Sequence, residues 1–173
     1  LNDYFGHSAD ISADGTIIAV GARQGWGSVS DEKDGYVRVF KLEDTGWTQM
    51  GEIITGRKGT YTDQFATSLS LSSDGTVIAV GAENWFSDIN SAAGLVQIFK
   101  WDGSTWVQRG SDIIGDSSEG IGLSLSLSSD GNVLAIGPDS WNSGTDSTHV
   151  KIYYWNDTSW EKRGDLSFFD IPH

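Results

Sequence analysis

The chain has 173 residues, with 22 Gly, 2 Pro, 8 Trp, no Cys and a formal net charge of −13. The length suits one ordinary domain, and the missing cysteines exclude disulfides and thiolate metal sites without fixing a compartment. The negative field excludes nucleic acid and an anionic membrane surface as partners, because it repels phosphate.

Hydrophobic residues make up 38% and charged residues 20%, a balance that supports a packed core rather than disorder. No apolar run approaches the roughly 20 residues that span a bilayer, so no membrane insertion is expected. The start at Leu1, without a signal peptide, reads as a processed chain or a piece of a longer one.

The first element is Ala9 to Ala22, ADISADGTIIAVGA, read as strand, tight turn, strand. The pattern returns as LSLSSDGTVIAVGA from Leu69 and as LSLSSDGNVLAIGP from Leu125. The turns Asp14-Gly15, Asp74-Gly75 and Asp130-Gly131 place Gly where positive φ costs nothing. Before the third turn, Leu123, Leu125 and Leu127 alternate with Ser124, Ser126 and Ser128, a strand with two unlike faces. After each turn comes an apolar run such as Val77-Ile78-Ala79-Val80, a strand covered on both faces.

A third strand follows in each copy, at Tyr36 to Phe40, Leu95 to Phe99 and His149 to Tyr153. A polar turn then leads to a fourth strand, which opens on Trp47, Trp106 or Trp160 and closes on Gly51, Gly110 or Gly164. The Asp-Gly turns lie 60 and then 56 residues apart (Asp14 to Asp74 to Asp130). Four strands in so long a period predict propeller blades, over about 3–55, 63–115 and 120–170 of a single segment 1–173. The fold class is therefore all-β: three tandem four-stranded antiparallel sheets, an incomplete ring or part of a larger propeller. Closed rings take about four to eight blades, so the chain is expected to belong to a larger chain or assembly.

Asp3-Tyr4-Phe5-Gly6, with Ala19-Val20-Gly21-Ala22 and then Gly35 to Phe40, resembles the FG-GAP repeat, the blade of the integrin α-subunit propeller. Asp63-Gln64-Phe65-Ala66 and Ile121-Gly122 keep parts of the motif. A WD-repeat blade is the second resemblance, carried by the Ser-Asp-Gly turn. The FG-GAP resemblance implies an extracellular or cell-surface setting and calcium in the first hairpin. The matching positions are Asp10, Ser12 and Asp14; Ser70, Ser72 and Asp74; Ser126, Ser128 and Asp130. One or two carboxylates per loop supply calcium poorly, since it wants six to eight oxygens. No cofactor and no metal are expected.

The candidate ligand site lies on the loops between second and third strands. Each holds a Trp near its start, namely Trp26, Trp85 and Trp141, beside acids such as Asp31, Glu83 and Asp139. Flat aromatic platforms beside hydrogen-bond acceptors suit a sugar, and the competing reading makes each Trp a plug between blades. Trp47, Trp106 and Trp160 read as inter-blade packing. His7, His149 and His173 are scattered, so they suggest no metal cluster. Asn156-Asp157-Thr158 is a glycosylation sequon on a polar turn. No catalytic residues are marked out. The expected function is a non-catalytic extracellular module that recognises or assembles with protein or glycan. The alternatives are a glycan-active hydrolase or lyase and a structural subunit docked on a larger complex.

Overall fold

The computed structural model describes residues 3–23, 35–57, 64–85, 93–138 and 149–166, and they form strands and turns without a helix. Blade one pairs β1 (Phe5–Ile11), β2 (Ile17–Ala22), β3 (Tyr36–Glu43) and β4 (Gly46–Gln49), with β5 (Ile54–Thr55) also on β3. Blade two pairs β6 (Ser68–Leu71), β7 (Val77–Ala82) and β8 (Leu95–Trp101), with both β9 (Trp106–Gln108) and β10 (Ile113–Ile114) on β8. Blade three runs β11 (Ser124–Leu127), β12 (Val133–Gly137), β13 (Val150–Trp155) and β14 (Trp160–Leu166). All these pairings are antiparallel. The three sheets stand side by side as an open array, with β6 lying between β1 and β11.

The three hairpin turns share one hydrogen-bonding scheme. Gly75 N–H donates to the Ser72 carbonyl, and the Ser72 hydroxyl donates to Asp74 Oδ1 at 2.6 Å. That carboxylate also accepts the Thr76 amide and hydroxyl. Asp14 and Asp130 do the same with Ser12 and Thr16, and with Ser128 and Asn132. Positive φ falls on the glycine alone, at 73° for Gly15 and 68° for Gly75 and Gly131. A turn closed this way needs Asp for its acceptor oxygens and Gly for its left-handed backbone. Burial pushes the Asp74 carboxyl up, but the Ser72 hydroxyl and the Thr76 amide and hydroxyl outweigh it and hold the group below its ordinary value.

Gly75 also sits against its neighbour. A methyl at its Cβ position would lie 2.7 Å from Ile17 Cβ, whereas one at Gly15 would meet nothing within 4 Å. Gly15→Ala should therefore lose only the left-handed backbone term, about 1 kcal/mol. Gly75→Ala should lose about 2 kcal/mol, because overpacking against Ile17 is added. Denaturant melts of the two variants check this, and equal losses would mean that the seam yields freely.

The cores lie between blades. Ile17, Ala19, Val37, Val39 and Ile54 of blade one pack with Leu69, Leu71, Ile78, Val80 and Leu95 of blade two. Val77, Ala79, Val96 and Ile98 leave the other face of blade two to meet Leu134 and Ile136. All six residues of β7 are buried, while β2 and β12 alternate buried with half-buried. The same apolar run is covered twice only where blades stand on both sides.

Two further devices lock each seam. The motif residue Phe65 is 1% exposed and fills a slot that only glycine leaves open. A Cβ on Gly56 would fall 2.5 Å from its ring, and one on Gly35 would fall 1.8 Å from its carbonyl oxygen. Ile121 repeats this against Gly94 and Gly115. On the outer edge, Trp106 Nε1 donates to the Met50 carbonyl and Trp160 Nε1 to the Arg109 carbonyl, both at 2.9 Å. The next residues, Gly51 and Gly110, have φ of 78° and 85° and break the fourth strand where the indole edges press on them. The expected packing role of Trp106 and Trp160 is what these contacts show.

Candidate functional site

The loop end of the array is where the second strands finish. Gly21 and Gly81 let the backbone of the following blade approach. A Cβ on Gly21 would lie 3.0 Å from the Ala66 carbonyl oxygen, and one on Gly81 would lie 2.1 Å from that of Gly122. Ser8 and Ser68 donate to those same two carbonyls at 2.8 and 2.7 Å. Two residues past these glycines stand Arg23 and Glu83, and their charges meet across the seam, Arg23 Nη1 to Glu83 Oε1 at 3.6 Å. The Glu83 side chain is 10% exposed and that of Arg23 30%. The geometry offers a shielded carboxylate beside a guanidinium that still reaches solvent. His7, on the exposed start of β1, has its imidazole pushed below the ordinary value by burial and by the Arg23 charge.

Of the aromatic residues expected at this end, Trp85 is 4% exposed and belongs to the core between blades one and two. The Arg57 guanidinium lies 5.5 Å from its ring centroid. Its ring is thus taken up by packing, and it is no open platform. Glu83 is described above, while Trp26, Asp31, Asp139 and Trp141 lie outside the described residues. Sequence reading passed over Arg23 and left His7 among scattered histidines. A signal was present, because Arg23, Glu83 and Asp139 each stand two residues after the glycine in the Val/Ile-Gly pair of the second-strand run. Among the described residues, no group of three or more His, Asp or Glu is placed to hold a metal ion. The sequon residue Asn156 is tied into its own turn, its Oδ1 accepting from the Thr158 and Ser159 amides.

No family model matches the chain. No curated protein matches it either. Solved structures do match. One is a protein of Bacteroides fragilis provisionally named a 6-phosphogluconolactonase, with a TM-score of 0.59 and 15% identity over 92% of this chain and 38% of that one. Another is a protein of the same provisional name from Bacteroides uniformis, with a TM-score of 0.52 and 11% identity over 94% of this chain and 57% of that one. The chain thus spans less than two thirds of either neighbour. Likeness at this identity shows the fold, a partial β-propeller. The name both neighbours carry is that of a hydrolase. It overturns the expectation of a non-catalytic recognition or assembly module, which rested on analogy with adhesion propellers. Propeller folds serve many chemistries, so fold analogy could not carry that step.

Proposed function

We propose that the chain forms three blades of a propeller hydrolase that opens the ester ring of a carbohydrate-derived lactone at the loop end. The Arg23–Glu83 pair across the first seam carries this reading. A carboxylate shielded by burial can serve as a general base, and the cation beside it can meet charge that develops on a substrate oxygen. The Glu83 carboxylate takes a proton from water, and the water oxygen bonds to the lactone carbonyl carbon. The ring C–O bond then breaks, and the proton passes from Glu83 to the departing oxygen. Arg23 offers N–H donors to the carbonyl oxygen as its charge develops. The net charge of −13 favours a neutral sugar lactone over a phosphorylated one. The repeat itself is FG-GAP-like in this reading. Its support is the left-handed backbone shared by Tyr4, Gln64 and Gly120 and again by Gly6, Ala66 and Gly122.

The test is proton release from glucono-1,5-lactone and from 6-phosphogluconolactone, measured above the spontaneous rate. The chain should accelerate the neutral lactone more, and Glu83→Gln should remove about 10²–10³-fold of that rate with the melting temperature retained. A rate equal to the spontaneous one, or a Glu83→Gln variant of undiminished rate, would sink the proposal.

A further inference from the structure

Blade one presents, on its free side, the side chains that blades two and three use to lock onto the blade before them. Phe5 is 49% exposed, while its counterpart Phe65 is 1%. Ile11 is 51% exposed and its counterpart Leu71 6%. Trp47 is 48% exposed, whereas Trp106 and Trp160 are half-buried and hydrogen-bonded to the preceding blade. Arg38 adds a polar requirement. Its counterparts in the third strand are engaged by the preceding connection: Gln97 accepts the Arg57 amide, and Lys151 donates to Glu119 and Asp116. Arg38 Nε is buried and finds no acceptor among the described residues.

We propose that this face takes a further blade of the same repeat, one whose fourth strand ends in the pattern x-Gly-x-x-Ile-x-Gly. Met50 to Gly56 and Arg109 to Gly115 have that pattern. The occupant supplies a carbonyl before its first glycine for Trp47 Nε1, a glycine slot for Phe5, and an oxygen acceptor in its connection for Arg38. The alternative occupant is a second copy of this chain, seating its blade three on blade one. Blade three matches the Trp seat in sequence, Arg163-Gly164 for Met50-Gly51, although Gly164 lies within β14. It does not offer the slot. Leu166 pairs with Val150 as Ile54 pairs with Val37, so Thr148 and Phe168 take the sequence positions of Gly35 and Gly56. The Gly35 and Gly56 sites would hold a Cβ within 1.8 and 2.5 Å of an inserted Phe, so larger residues there close the slot.

The test places residues 1–62 ahead of residue 3 to give a four-blade chain, whose second Asp-Tyr-Phe-Gly motif then follows a blade with the required ending. In that chain Phe5→Ala, made in the second motif only, should lower Tm by about 10 °C, against about 2 °C or less in the 173-residue chain. An equally small shift in both chains would overturn the proposal. So would a 173-residue chain that sediments as a dimer and loses that dimer on Phe5→Ala, since the occupant would then be a second copy. A gain-of-contact variant does not depend on the four-blade chain folding. Thr148→Gly with Phe168→Gly restores the slot in blade three, and should turn a monomer into a head-to-tail dimer in sedimentation. A variant that stays monomeric, with an unchanged circular dichroism spectrum, counts against the slot as the recognition element.

Discussion

Phe65→Ala should destabilise the chain by about 3–5 kcal/mol, while Phe5→Ala, the same change in the same motif, should cost under about 1 kcal/mol. The residues share the motif position Asp-x-Phe before the first strand's alternating run, Phe5 at the start of β1 and Phe65 in the turn before β6, and their neighbours differ. Phe65 is 1% exposed and lies in the glycine slot of blade one, whose backbone cannot follow the shrinking side chain. The cavity is therefore retained, which is the costly case. Phe5 is 49% exposed and stacks loosely on Tyr36, their ring centroids 6.4 Å apart. Paired urea melts with a common m-value measure the difference. Similar losses would mean that the motif aromatic serves its own blade and is no lock between blades.

The same contrast explains what was legible in the sequence. Strand order and turn positions were legible because each depends on residues close in the chain. The carboxylate of Asp74 and the left-handed Gly75 close a turn that nothing distant can alter. The inter-blade role of Trp106 was also legible, since one residue type at one repeat position implies one repeated contact. The Arg23–Glu83 pair was not, because a cation in one copy meets an anion in the next. Comparing copies for sameness hides a complementarity made of differences. The break in the fourth strand was missed for another reason. The run from Trp47 to Gly51 and that from Trp160 to Gly164 look alike, yet β4 ends before Gly51 while β14 runs on to Leu166. The indole edges of the next blade press on Gly51 and Gly110, but among the described residues nothing would meet a Cβ on Gly164 within 4 Å.

Glu119→Gln should cost about 3–5 kcal/mol, as much as a large core truncation, although it alters one atom. Lys151 Nζ lies 2.6 Å from Glu119 Oε2, and the two side chains are 10% and 7% exposed. The other acid, Asp116, lies 3.5 Å away with its side chain 94% exposed, so water screens it. The substituted amide would keep an acceptor for the Asp116 N–H, which Glu119 Oε2 now accepts at 2.8 Å. What is lost is the charge that compensates a shielded ammonium. Burial pulls the Lys151 ammonium down, but the Glu119 hydrogen bond and charge more than offset it, and the group rises above its ordinary value of 10.5. A raised folded value means that the pair stabilises fully below about pH 10.5, and that the contribution fades as pH climbs through the folded value. Wild-type Tm should therefore fall with a proton-linked slope above that pH, and Glu119→Gln should flatten the slope as it lowers Tm at pH 7. Replacing both partners, Glu119→Leu with Lys151→Met, should recover most of the loss, because neither charge is then stranded. A double variant as unstable as Glu119→Gln would show that the seam depends on hydrogen bonds to the connection between blades and not on the paired charges.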